Sequence, residues 1–374
     1  MINKVRLIKL TSKLIQINSE NPPGDEKQIA NFVREYLKRL GLKVRIYEFK
    51  NKRSNVLAYL ERPGNKRSLL ITPHLDTVCA GKSWKVSPFA GKIIANKIYG
   101  LGATDCKCNV AASLEAINSL VEDAKILSYN LIFAATADEE CGSGLGLIPL
   151  LDKKILKPDA ALVLDADDFE IIVSQKGLIH LKVKIKGKRA HGAYPHLGEN
   201  AIDTALDVIR QVKAHKFPYV KNKYLKPPTV NVGTIKGGDK VNIVADWCEF
   251  ELDFRFLPGT SPEEILNILK GILKKSAKKY KIEIQGIQQP YQIPEKHPLV
   301  SSLKEAMRSS GIPARLTGSE GATVITFFQS KNIPAVASGF GSGGCAHISN
   351  EFAKINSLYK GAKVLEKFLT SYKF

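Results

Sequence analysis

No stretch of the 374-residue sequence approaches the roughly 18 consecutive apolar residues that a membrane-spanning helix needs. The opening residues, Met1-Ile2-Asn3-Lys4-Val5-Arg6-Leu7, also lack the apolar core of a secretion signal. The expectation is therefore a cytoplasmic protein that makes no membrane contact. Cysteine is sparse: six residues, Cys79, Cys106, Cys108, Cys141, Cys248 and Cys345, in a long chain without a secretion signal favour reduced thiols over disulfides. Cys106 and Cys108 are too close together for the usual zinc-ribbon or redox spacing. The formal net charge of +20 invites a nucleic-acid reading, yet the lysines are dispersed and no dense basic tail is present. The expected partner is a small anionic substrate, which a positive field would concentrate, and not nucleic acid. No internal repeat or low-complexity tract is evident.

What is present fits two domains better than one at this length. Apolar periodicity predicts helices over Lys4–Ile17 and Asp25–Leu40, the second closed by Gly41, with a turn at Asn21-Pro22-Pro23-Gly24 between them. Three short, almost wholly apolar runs, Ser68–Thr72, Asn130–Ala135 and Asp159–Leu164, read as strands buried on both faces. With helical stretches such as Val110–Leu120 between them, they make an α/β domain with a mixed sheet. The pattern changes near residue 177. Leu181, Val183 and Ile185 alternate with Lys182, Lys184 and Lys186, and Phe250, Leu252, Phe254 and Phe256 alternate with Glu251, Asp253 and Arg255. Period two with one charged face indicates antiparallel strands covered on one side. Amphipathic helices over about 200–214 and 262–278 complete a β-α-β-β-α-β order. The expected organisation is a catalytic domain, 1–176 and 290–374, interrupted by an inserted α+β domain, 177–289.

Potential metal ligands and a potential base follow the exits of the buried strands. His74-Leu75-Asp76 follows Ser68–Thr72, Asp138-Glu139-Glu140 follows Asn130–Ala135, and Asp165 follows Leu164. Asp105 ends the glycine-rich turn Gly100-Leu101-Gly102-Ala103-Thr104-Asp105, and His347 lies in Gly343-Gly344-Cys345-Ala346-His347. Open α/β sheets bind ligands beyond the carboxyl ends of their strands, which would gather these residues. Two histidines with several carboxylates suit Zn²⁺, Mn²⁺ or Co²⁺. One carboxylate can bridge two such ions and hold a hydroxide between them, a nucleophile available at neutral pH. Of adjacent Glu139 and Glu140, one can ligate while the other accepts the proton of the water. Asp76 suits the task of orienting the His74 imidazole through its second nitrogen.

These motifs, with Pro73-His74-Leu75-Asp76-Thr77-Val78 and Ala137-Asp138-Glu139-Glu140 foremost, resemble the aminoacylase / acetylornithine deacetylase / succinyl-diaminopimelate desuccinylase / glutamate carboxypeptidase family of co-catalytic zinc peptidases. The similarity runs over nearly the whole chain. It implies a zinc-exopeptidase-like catalytic domain holding two divalent metal ions, Zn²⁺ with Co²⁺ or Mn²⁺ as alternatives, and an inserted lid or dimerisation domain that makes a homodimer. By the same resemblance Asp105 bridges the metals, His74 and Asp165 complete one site, Glu140 and His347 complete the other, and Glu139 is the general base. His191, in Gly187-Lys188-Arg189-Ala190-His191, would stabilise the oxyanion from the partner subunit; Asn242 would contact substrate and Arg255 would grip its carboxylate. Read without the resemblance, these last three are a loop histidine, a turn residue and a charge on an exposed strand face.

Three positions depart from the family pattern. Cys106-Lys107-Cys108-Asn109 stands where many members have Met-Lys-Gly-Gly, Val324 follows Gly321-Ala322-Thr323 where relatives often have aspartate, and Asp165 replaces the glutamate of most deacylases. The leading expectation is a hydrolase that cleaves the amide bond of an N-acyl amino acid, deacetylase- or desuccinylase-like. The alternative is a dipeptidase or other exopeptidase of the same family, which Asp165 favours.

Overall fold

The apolar runs become strands because no face of them meets water. Leu69, Leu70 and Ile71, then Leu131 to Ala135, then Ala160 to Leu164, are all buried, so side chains of both alternating sets enter a core. The computed structural model describes residues 1–165, 168–321 and 323–374, and Ala322 of the Gly321-Ala322-Thr323 segment lies outside the described residues. The chain divides into two compact units. The first comprises Met1–Val173, Ile293–Thr317 and Phe327–Phe374; the second comprises Ser174–Gln292 and Gly318–Thr326.

In the first unit a mixed sheet runs in the order Lys43–Glu48, Ser54–Leu60, Asn130–Ala135, Ser68–Thr72, Ala160–Leu164, Ala335–Ser338. Ser68–Thr72 pairs in parallel with both of its neighbours, and Ala160–Leu164 is parallel to Ala335–Ser338. The outer hairpin of Lys43–Glu48 with Ser54–Leu60 is antiparallel. Parallel neighbours need crossovers, and helices supply them. Helix Lys107–Glu122 buries nearly every position from Lys107 to Leu120, so it is an interior helix and not a surface one. It packs against helices Lys4–Ile15 and Ile355–Ser371. Helix Lys27–Arg39 packs on the outer hairpin, and Gly41 follows its end in the left-handed conformation at φ 81°, with its amide on the Lys38 carbonyl.

The second unit is a four-stranded antiparallel sheet in the order Thr229–Gly237, Trp247–Phe256, Gly177–Lys186, Lys279–Gln288. One face, with Ile179, Leu181, Val183, Phe250, Leu252 and Phe254, packs on helices Ala201–Ala214 and Pro262–Ser276 through Val208 and Leu269. The other face carries charge, with Lys184 2.9 Å from Glu283 and Lys182 3.4 Å from Glu251. The alternation of the strands has this physical origin: one face is roofed by helices and one is not. Segment Gly318–Thr326 joins this unit from far along the chain: the Lys176 amide donates to the Ser319 carbonyl at 3.0 Å and the Lys176 ammonium meets Glu320 at 2.6 Å. Among the described residues no disulfide forms, and no helix is long and apolar enough to cross a membrane.

Candidate metal centre

His74 follows strand Ser68–Thr72 at a point where pairing with the next strand continues past the regular ladder. His74 bridges Thr136, and the Leu75 amide donates to the Thr136 carbonyl at 2.7 Å. This extension brings His74 alongside the Asp138-Glu139-Glu140 turn. The His74 Nδ1–H faces the main-chain carbonyl of Asp76 at 3.0 Å, which leaves Nε2 directed at the carboxylates. Nε2 lies 3.0 Å from Asp105 Oδ1 and 3.5 Å from Asp165 Oδ1. Asp165 is placed by its amide, which donates to the Ser338 carbonyl of the neighbouring strand at 3.1 Å.

Asp105 ends a turn that requires glycine at position 102. Gly102 has φ 79°, and a Cβ there would come within 2.8 Å of the Thr77 methyl. The second oxygen of Asp105, Oδ2, is 3.2 Å from His347 Nε2, and the same nitrogen is 3.2 Å from Glu140 Oε2. Asp105 therefore divides its two oxygens between two imidazoles. Asp105, Glu140 and His347 have ligand atoms all within 4.8 Å of one another. His74 and Asp105 form a second such group with the Cys106 thiol, and Asp165 stands beside it at His74.

The donor set fits two cations. Around a tetrahedral ion with bonds of about 2.0–2.1 Å, neighbouring ligand atoms lie roughly 3.3 Å apart, and the pairs here span 3.0 to 3.5 Å. Glu140 Oε1 is buried and has no hydrogen-bond partner among the described residues, so a ligand oxygen is left available. Charge points the same way. Hydrogen bonds to Asp105 and Glu140 hold the His347 pKa up at about 10, so the carboxylates draw positive charge onto the ring even as a proton. Burial opposes ionisation of Asp105, yet His347 and His74 hold its carboxyl below the ordinary range. Burial raises Glu139 well above the usual carboxylate range, with Asp165 adding repulsion, which places its carboxylate in the field of this cluster. The Cys106 thiol is pushed up to about 12 by burial, and it exchanges hydrogen bonds with the main chain of His74 at 3.2 and 3.4 Å. Cys108 donates to the Thr104 carbonyl at 3.1 Å.

Asp76 differs from its expectation. Its main-chain oxygen, not its carboxylate, is the nearer acceptor for His74; the carboxylate is 3.5 Å away. The two carboxylate oxygens instead accept the amides of Glu139 and Glu140, each at 3.1 Å, so Asp76 braces the turn that carries both glutamates.

His191, Asn242 and Arg255 belong to the second unit. His191 and Asn242 are brought together there: His191 bridges Ile243, and the Gly192 amide donates to the Asn242 carbonyl at 2.8 Å. Both side chains are exposed, and His191 Nδ1 accepts the Ala193 amide at 3.1 Å. Arg255 is already engaged, since Nε and Nη2 donate to the two oxygens of Asp253 at 2.7 and 3.0 Å.

Three buried groups had no role in the sequence reading. Glu351 accepts the amides of Gly102, Thr104 and Asp105; its distance of four residues from His347 is the one signal that marks it. Lys107 is fully buried, pulled down to about 7 by desolvation, and donates to the Ile17 carbonyl at 2.7 Å. Arg53 is buried beneath the Asp138 turn and nothing in its sequence neighbourhood distinguishes it from a surface arginine.

Residues 70–371 match the profile described as Peptidase family M20/M25/M40. A metallohydrolase of Methanocaldococcus jannaschii, itself uncharacterised, is 30% identical over 404 aligned positions that cover 97% of this chain and 98% of the relative. An acetylornithine deacetylase of Vibrio cholerae is 27% identical, covering 97% and 96%. Among solved structures, a tripeptidase of Staphylococcus aureus superposes with a TM-score of 0.83 at 25% identity, over 99% of this chain and 98% of that one.

Proposed function

The chain belongs to peptidase family M20/M25/M40, whose members are metal-dependent hydrolases, and we propose that it removes the acyl group from an N-acyl amino acid at a two-metal centre. The observation that carries this reading is the division of Asp105, with Oδ1 toward His74 and Oδ2 toward His347. One carboxylate shared between two imidazole-bearing clusters is what paired cations require. His74 and Asp165 would hold one ion, Glu140 and His347 the other, and Asp105 both. Two Zn²⁺ ions, or Co²⁺ or Mn²⁺ in their place, would supply Lewis acidity toward the scissile carbonyl and acidify the attacking water.

The protein's own groups handle the protons. Glu139 takes a proton from the water as the new C–O bond forms. It then delivers that proton to the nitrogen as the C–N bond breaks, so the amino acid leaves as a free amine and the acyl group as a carboxylic acid. Asp76 keeps Glu139 and Glu140 on their separate tasks by holding both amides. By the family resemblance, His191 stabilises the oxyanion from the partner subunit, Asn242 contacts the substrate, and Arg255 takes the substrate carboxylate as a bidentate pair. The homodimer through the second unit belongs to the same reading.

Likeness to the acetylornithine deacetylase supports the deacylase. Likeness to the tripeptidase, together with Asp165, supports a second reading as an exopeptidase. Metal-stripped protein resupplied with Zn²⁺, Co²⁺ or Mn²⁺ separates the two when assayed on N-acetyl and N-succinyl amino acids beside unblocked peptides. Metal-dependent turnover of blocked substrates, lost in Glu139→Ala, is the expected result. Turnover of unblocked peptides alone moves the assignment to exopeptidase, and failure to bind metal removes both readings.

A further inference from the structure

Behind the Glu139–Glu140 turn lies a buried chain of charges that the reaction does not touch. Arg53 side-chain exposure is 7%, that of Glu26 is 0% and that of Asp138 is 8%. The Arg53 guanidinium donates from Nε and Nη2 to the two oxygens of Glu26, both at 2.8 Å, and Nη2 also reaches Asp138 Oδ1 at 2.8 Å. Asn21 Nδ2 donates to the same Asp138 oxygen at 3.2 Å and to Asp76 Oδ2 at 2.9 Å. Asp76 in turn accepts the amides of Glu139 and Glu140. An unbroken path of hydrogen bonds thus runs from Arg53 to the main chain of both glutamates.

The same groups hold the local backbone. Asp138 has φ 66°, a left-handed conformation that is uncommon outside glycine although aspartate tolerates it better than most residues. Its Oδ2 accepts the Leu145 amide at 2.9 Å, and its own amide approaches Glu26 Oε1 at 3.3 Å. The loop on the other side is shaped to the guanidinium as well: Gly24 lies so close that a Cβ would come within 2.3 Å of Arg53 Cζ. A buried ion pair gains little stability over an apolar one, because desolvation offsets the attraction. Its geometry is therefore the informative property. Three acceptors around one planar fork suit arginine and cannot be met in the same way by lysine.

We propose that Arg53, fixed by Glu26, is a positioning residue for Glu139 and Glu140: it holds Asp138 in its left-handed conformation and, through Asn21 and Asp76, sets the turn from which the base and one ligand project. The proposal rests on the reading of Glu139 as base and Glu140 as ligand. Removal of outer partners of a metal ligand weakens metal affinity or activity by about 10–100-fold, and that is the size of effect expected here.

The test uses full-length protein carrying Arg53→Lys, which keeps the charge and loses the fork, and Asn21→Ala, which breaks the path without removing a charge. Three quantities are read: kcat and KM on the best-hydrolysed blocked amino acid, the Kd for Zn²⁺, and the thermal midpoint. The expected result is kcat lower by about 10–100-fold with KM within about threefold, and a Zn²⁺ Kd at the Glu140 site raised by a similar factor. Loss of the kcat effect in a Glu139→Gln background would show that Arg53 acts through the base. If both variants lower the midpoint but leave kcat and Kd within twofold, the network is structural only and the proposal is overturned. If Glu139→Gln itself leaves the rate unchanged, the base assignment fails, and the Zn²⁺ Kd still decides whether Arg53 positions Glu140.

Discussion

The Asp105 amide donates to Glu351 Oε1 at 3.0 Å, so the turn that carries the shared carboxylate is tied to the loop that carries His347. The Gly102 and Thr104 amides reach the same carboxylate at 3.0 and 2.6 Å. Glu351→Gln would present an NH₂ group to amides that need acceptors, and the contact would open. We predict that this variant binds the ion of the His347 side about 10–100-fold more weakly while the His74 side changes less. Stepwise Zn²⁺ titration with a chromophoric chelator resolves the two sites; equal weakening of both would show that Glu351 does not discriminate between them.

Removing the shared carboxylate should cost more than removing either flanking ligand. Asp105→Ala is predicted to lower bound metal from about two ions per chain to one or fewer and to remove hydrolysis by at least about 10³-fold. His347→Ala should retain the ion of the His74 side. Elemental analysis of purified variants gives the stoichiometry directly, and two ions retained in Asp105→Ala would contradict the bridging assignment.

The parts of this arrangement that were legible from sequence share one property: they depend on local pattern. Ser68–Thr72, Asn130–Ala135 and Ala160–Leu164 announce themselves because strands buried on both faces are apolar at every position, and His74, Glu139 and Asp165 follow their ends. Glu26, Arg53 and Glu351 look like surface charges, because their burial arises from segments far apart in the chain, such as Arg53 meeting Asp138. The role of Asp76 was only half legible. A carboxylate two residues after a histidine points to a local partner, whereas its shorter bonds go to a turn 63 residues later. For Gly318–Thr326 the obstacle was the same: the pairing of Lys176 with Ser319 and Glu320 leaves no periodic trace.

Arg255 donates from Nε and Nη2 to Asp253 at 2.7 and 3.0 Å, so a substrate carboxylate bound on that edge of the guanidinium competes with Asp253. Two substitutions should therefore move KM in opposite directions. Arg255→Lys keeps the charge without the fork and is predicted to raise KM by about 10–100-fold. Asp253→Asn weakens the internal competitor and should lower KM, with kcat within about threefold in both. Steady-state kinetics on a blocked amino acid and on its carboxamide provide the check. If the carboxamide is equally good for the parent enzyme, Arg255 does not bind that carboxylate.

The C-terminal helix is predicted to weaken at alkaline pH. Tyr129 donates its hydroxyl to the Leu369 carbonyl of helix Ile355–Ser371 at 2.5 Å, and its ring stands edge-on to Tyr372 and Phe374. Burial raises the Tyr129 phenol well above its ordinary value and lifts Tyr372 to about 12. An acid whose folded pKa exceeds its unfolded value of about 10 binds more protons in the folded state across that interval. The stability it contributes is therefore complete below about pH 10 and declines as pH rises toward the folded values. For each such group the slope approaches about 1.4 kcal/mol per pH unit within the interval. Tyr129→Phe removes one of the two groups and leaves the Leu369 carbonyl without its donor, so it should cost about 1–3 kcal/mol at neutral pH. Between pH 10 and 12 it should also lose stability less steeply than the parent protein. Urea midpoints measured across that range, with tyrosinate absorbance followed in parallel, test both statements; parallel curves for the two proteins would show that Tyr129 ionises without opening the helix.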